Sequence, residues 1–162
     1  MSAVISDCGK YRYVLRRSLT SVVRWYRPCT FVMLNPSTAG ANNDDATIRR
    51  CIYFAQREGM THLNVVNLFA LRATDPKDIL KANDPIGPDN DFWLKKEIVS
   101  SSLVIAGWGS NKCAKDRAEE IVEKFGPFMC LGITKNNSPK HPLYLKKDTP
   151  LIEFKPRPKE GE

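Results

Sequence analysis

Two carboxamides, an imidazole and a pair of carboxylates stand where short apolar runs of this chain break into polar turns. Asn35 and Pro36 end the run that begins at Thr30, Asn67 closes residues 63–68, Trp108 follows 103–106, and His141 lies in a lysine-bearing loop after 128–133. A carboxamide donates and accepts hydrogen bonds at once but takes up no proton at neutral pH, so Asp44 or Asp45 is the better general base. Those aspartates also precede a helical apolar pattern (Ile48, Cys51, Ile52, Ala55), where with Thr47 they cap the first amides. A helix start favours anions such as phosphate, and Arg49 and Arg50 add positive charge in the same turn.

These groups share one rim only if the runs before them are strands of one sheet. Residues 30–34 are rich in β-branched and aromatic types, and Pro36 cannot continue a ladder, so a strand must stop at Asn35. Residues 63–68, 103–106 and 128–133 read as three more buried strands. Between them lie a helix from Ile48 closed by Gly59 and a short helix opened by Asp75 and Pro76. Two further helices follow, over 91–100 and over 113–125, the second stopped by Gly126 and Pro127. This alternation predicts an α/β fold: a single three-layer domain over residues 1–154, with a central, mostly parallel four-stranded sheet and helices on both faces. Residues 11–15 and 21–25 are expected to form an N-terminal β-hairpin, and 151–154 an edge strand. Residues 155–162 are expected to be a frayed tail. In such sheets ligands bind at the carboxyl ends of the strands, which is where Asn35, Asn67, Trp108 and His141 gather.

A chain of 162 residues buries a core without staples. Its net charge of +7 favours a polyanionic partner, DNA or a nucleotide, over a membrane surface. Five cysteines without a C-x-x-C pair suit reduced thiols, and two histidines without ligand spacing give no metal site. With no apolar run approaching a membrane span and no signal-like leader, a cytoplasmic protein without cofactor is expected, and a monomer.

Several segments carry a resemblance over nearly the whole chain: MLNPSTA, DDATIRRC, VVNLFALRATDP, IGPDND, AGWG and HPLYL. By these the chain is identified as a member of the domain of unknown function 1643 family, small proteins of bacteria and phages. Ala46 departs from that pattern, standing where the family carries proline. More distantly, the order of motifs resembles the uracil-DNA glycosylase superfamily. There a strand ends in a catalytic loop of the type I-N-P-G or Q-D-P-Y, followed by strands ending in L-L-L-N and W-G-S and by a loop with H-P-S. Here these stand as Leu34-Asn35-Pro36-Ser37, Val65-Val66-Asn67, Trp108-Gly109-Ser110 and His141-Pro142.

The resemblance implies roles by position. Asn35 would orient the attacking water at the sugar, Asn67 would read the edge of an extruded base, and His141 would donate to the base carbonyl on which charge develops. Ser37, Trp108 and Phe69 would join Asn67 in substrate binding, with Asp45 as the alternative base. Arg49, Arg50, Lys135 and Lys140 would meet the DNA backbone, and Leu143 or Tyr144 would wedge into the stack. Asn35→Asp would install the carboxylate of other superfamily members. Because Leu143 and Tyr144 follow His141-Pro142 in place of Ser and Pro, efficient uracil removal is not implied.

Plainer readings stand beside these. Asn35 can cap a turn, Asn67 can satisfy buried backbone, His141 can be structural, and Trp108 can be core or pocket wall. Three functions follow: a glycosylase-like hydrolase of a modified or damaged base in DNA, a non-catalytic nucleotide or nucleic-acid binder, and a hydrolase of free nucleotides. A steep loss of affinity with salt marks the DNA enzyme, a shallow one the mononucleotide enzyme.

Overall fold

The structure, a computed structural model, describes residues 1–22, 24–37 and 39–155. In chain order it contains β1 (Ser2–Ile5), β2 (Arg12–Ser18), β3 (Pro28–Met33), α1 (Ala46–Arg57), β4 (His62–Asn67), α2 (Lys77–Lys81), α3 (Asn90–Val99), β5 (Leu103–Ala106), α4 (Lys115–Phe125), β6 (Phe128–Cys130) and β7 (Ile152–Phe154). All seven strands form one mixed sheet in the order β1-β2-β4-β3-β5-β6-β7. The inner run β4-β3-β5-β6 is parallel, while β1, β2 and β7 pair antiparallel. The chain leaves β3 through α1 to β4 on one side, then returns through α2 and α3 to β5 on the other. That reversal of strand order opens a crevice beyond the carboxyl ends of β3, β4 and β5.

Alternation along β3 separates two cores. Cys29, Phe31 and Met33 pack with Ile48, Cys51 and Phe54 of α1. Val32 belongs to the opposite face, with Leu94 and Ile98 of α3 and Ala118 and Ile121 of α4. Phe31 and Phe54 are fully buried, each contributing about 1.5–3 kcal/mol by burial. Cys29 and Cys51, both buried and unbridged, serve as small apolar fillers of that face.

The sheet has seven strands, not four: the expected parallel four are extended by β2, which pairs with β4, and by the edge strands β1 and β7. β7 falls on the expected edge strand at 151–154, and the tail from residue 156 onward lies outside the described residues. The N-terminal hairpin pairs β2 with Ser2–Ile5, upstream, and not with residues 21–25. Gly9, at φ 73°, supports the turn, with its amide donating to the Ser6 carbonyl at 2.9 Å. Val22 and Trp25 are instead exposed, and residue 23 lies outside the described residues. The run expected at 128–133 pairs only to Cys130, because Gly132, at φ 114°, turns the chain away. Among the described residues no helix is long and apolar enough to cross a membrane.

Two side chains on the α3–α4 face hold the end of β4. Asn90 donates through Nδ2 to the carbonyls of Asn67 (3.0 Å) and Leu68 (3.2 Å). Arg117, buried inside α4, donates through Nε to Leu68 O at 3.0 Å and ion-pairs with Asp91 and Glu120. Arg117→Met is expected to lower stability by about 1–3 kcal/mol, because the Leu68 carbonyl then stays buried with one donor fewer. A urea midpoint unchanged from the parent would show the guanidinium to be dispensable.

Candidate functional site

The strand-end loops are tied to one another by backbone hydrogen bonds that extend the ladder past the strands. Leu68 N donates to Met33 O (2.9 Å), Phe69 N to Leu34 O (3.0 Å) and Ala73 N to Pro36 O (3.0 Å). After β5 the chain stays close to β3, with Gly107 N on Val32 O at 2.9 Å. A Cβ at Gly107 would lie 2.9 Å from Met33 Sδ, so only glycine passes there undisturbed. Gly109 N in turn holds Pro139 O at 3.1 Å, which brings the loop carrying His141 over the same crevice.

The result is a cavity of about 460 Å³, lined among others by Asn35, Ser37, Asp45, Asn67, Trp108, His141, Leu143 and Tyr144. Asn35 donates through Nδ2 to Ala73 O (2.8 Å) and Pro36 O (3.0 Å), which leaves its Oδ1 as the atom able to accept from a ligand or water. An aspartate at 35 would aim a carboxylate at those two carbonyls. Asn35→Asp is therefore expected to destabilise the protein by about 2 kcal/mol or more, and not to raise activity. A melting temperature at or above that of the parent would contradict this.

Asp45 is the N-cap of α1, its Oδ1 accepting from Ile48 N at 2.8 Å and its Oδ2 from the Ser37 hydroxyl at 3.0 Å. It is the one carboxylate lining the cavity among the described residues. Asp44 turns away to pair with the buried Arg17, Nε to Oδ1 at 2.7 Å. Asn67 is 2 % exposed and its Nδ2 has no partner among the described residues, an arrangement that a folded interior rarely tolerates without a ligand or water to fill it.

His141 caps the 3-10 turn Pro142–Tyr144, accepting at Nδ1 from Leu143 N at 3.2 Å. An acceptor at Nδ1 puts the proton of the neutral ring on Nε2. Burial lowers the His141 pKa below the usual histidine range, opposed by the Asp45 charge. With its folded pKa depressed, the ring is neutral at pH 7. Its contribution to stability is present above the unfolded value and is lost as pH falls through the folded one. Nitrogen-15 NMR of the imidazoles should show His141 as the Nε2–H tautomer, titrating below the ordinary value of about 6.5. An Nδ1–H tautomer, or a raised pKa, would refute that assignment.

The other residues singled out in the sequence take different places, some at the cavity and some away from it. Phe69 is buried in the core on the α3–α4 face and does not line the cavity. Trp108 lines it as wall, 3 % exposed and edge-on to Phe128 and Phe154. Arg50, expected at phosphate, is held by the carbonyls of Pro142 and Leu145 and lies over Phe54. It thereby pins the His141 loop to α1. Arg49 is exposed and donates to Asp44 O at 2.6 Å. Lys135 and Lys140 are exposed and outside the lining, and the stem of Lys140 packs beside Gly132. Tyr144 is 86 % exposed at the rim. The residue that sequence reasoning missed is Arg12, which lines the cavity at 3 % exposure. A charge set between Tyr11 and Tyr13 in a β-rich run was its only signal.

A family described as protein of unknown function (DUF1643) matches the chain over residues 12–143. No curated protein and no solved structure matches it.

Proposed function

We propose, for a chain that belongs to the DUF1643 family, that the cavity takes one nucleobase and that the protein is a uracil-DNA glycosylase-like hydrolase of the N-glycosidic bond of a modified or damaged base in DNA. The observation that carries this reading is the unpartnered Asn67 Nδ2, buried in the same cavity as a histidine whose Nδ1 is already occupied. An unmet amide donor asks for an acceptor on the ligand, and a base edge supplies one. His141 Nε2–H would donate to the base oxygen that gains charge as the bond breaks, a contribution of about 3–4 kcal/mol to the transition state. Asn35 Oδ1 would hold the attacking water, and Asp45 would take its proton. Arg49, Lys135 and Lys140, exposed but outside the cavity lining, would supply positive charge for a DNA backbone.

The experiment is a panel of oligonucleotides carrying varied bases, incubated with the protein and scored for alkali-labile abasic sites. Cleavage at one class of base supports the reading. A second reading rests on Asp45, both of whose oxygens already hold protein donors. If that carboxylate only caps α1, the cavity belongs to a non-catalytic binder of a base or nucleotide, and saturable binding without abasic sites is its result.

A further inference from the structure

The arginines that enter this molecule's interior do not share one fate. Arg16 meets Glu97, Arg17 meets Asp44, and Arg117 meets Asp91 and Glu120. Arg12, 3 % exposed, makes no ion pair among the described residues. Its Nη1 donates to the Ala39 carbonyl, and its Nε is buried with no partner among the described residues. The cavity's carboxylate, Asp45, is committed to Ile48 N and Ser37. Beyond ion-pair distance, the guanidinium of Arg72 opposes the Arg12 charge and the Asp45 carboxylate partly offsets it.

A cation withdrawn from water without a counter-charge is expensive, and a chain of this size has hydrophobic alternatives for the position. Burial draws the Arg12 pKa down to about 10, which still leaves it charged at neutral pH. The same cavity is lined by a second buried donor without a partner among the described residues, Asn67 Nδ2. Two donors with no acceptor, one of them a full positive charge, complement a group that only accepts and is negatively charged.

We propose that Arg12 and Asn67 form a subsite for an anionic, acceptor-only group of the ligand, a carboxylate or a phosphate. If the proposed base-binding reading holds, the group is a carboxylate carried on the base itself. If a nucleotide enters phosphate first, it is the phosphate. The subsite itself depends on neither.

Isothermal titration of the full chain with orotate, uracil and inorganic phosphate separates these cases. Orotate is a pyrimidine carrying a carboxylate, and uracil is the same ring without it. Wild type is expected to bind orotate about tenfold or more tightly than uracil, and Arg12→Gln to abolish the difference. Arg12→Lys keeps the charge without the planar fork, so it should retain part of the preference. Arg12-dependent binding of phosphate with no preference for orotate also supports the subsite, and it moves the source to a nucleotide phosphate.

Thermal melting of the unliganded variants distinguishes a ligand-binding arginine from a structural one. Arg12→Gln should melt at or above the wild-type temperature, because it removes a buried charge that has no ion-pair partner among the described residues. The proposal is overturned if neither anion binds in an Arg12-dependent way, or if orotate and uracil bind equally and phosphate not at all. Equal, Asn67-dependent binding of the two pyrimidines would do so while leaving the base-binding reading intact.

Discussion

His141→Ala is expected to slow release of the base about a hundredfold or more while leaving binding of the intact substrate nearly unchanged. The reason lies in when the Nε2–H bond matters. In the ground state the base oxygen is neutral and the hydrogen bond is modest. As the glycosidic bond breaks, electrons move onto the base, and a half-buried donor fixed by Leu143 N would meet a developing negative charge. Asn67→Ala should behave in the opposite way. The amide has no partner among the described residues and would meet the base in both states, so affinity and base selectivity should fall before the rate does. Single-turnover kinetics with a separate binding measurement reads both effects. Equal losses in rate and affinity for His141→Ala would reduce the imidazole to a wall of the cavity.

The second large effect is expected at Asp45. Asp45→Asn keeps an oxygen for Ile48 N, so the cap on α1 survives, and the new amide can still meet the Ser37 hydroxyl. Stability should change by less than about 1 kcal/mol. What disappears is the one proton acceptor among the carboxylates lining the cavity, and general base catalysis contributes about 10²–10⁴ in rate. A protein that melts normally and binds normally but turns over a hundredfold more slowly is the outcome that assigns Asp45 the proton. A rate within twofold of the parent would leave Asp45 as a cap and nothing more.

The parts of this fold that were legible in the sequence are those with local causes. Residues 30–34 and 103–106 announce β3 and β5 by β-branched content and by the Asn-Pro and Gly that stop them. The i, i+3, i+4 spacing from Ile48 announces α1, and Asp45 its cap. Because Asn35, Asn67 and Trp108 follow strand ends, their meeting at one cavity followed from the sheet rule, whereas His141, eleven residues beyond Cys130, is brought there by the Gly109–Pro139 backbone bond. The remaining features have distant causes. β1 is four residues long and largely exposed, so no periodicity marks it. The Arg117–Asp91 pair is not legible in the sequence, because the two residues stand 26 positions apart. Arg50 looked poised for phosphate, yet it meets carbonyls 92 and 95 residues further on. The burial of Arg12 likewise depends on the loop through Ala39, 27 residues away in sequence.

The central claim is that a base enters the cavity and meets Asn67 and His141 together. Its most direct test is a two-dimensional nitrogen–proton NMR titration of the protein with free bases, neutral and carboxylated. The Asn67 side-chain amide pair is assigned by its loss in Asn67→Ala, and the His141 Nε2–H by its loss in His141→Ala. The account predicts that both signals shift together and saturate at one concentration of a single class of base, while ribose added alone leaves them in place. Signals that stay fixed through the whole panel, in a protein that still binds nucleotide or DNA, would place the ligand elsewhere and contradict the account.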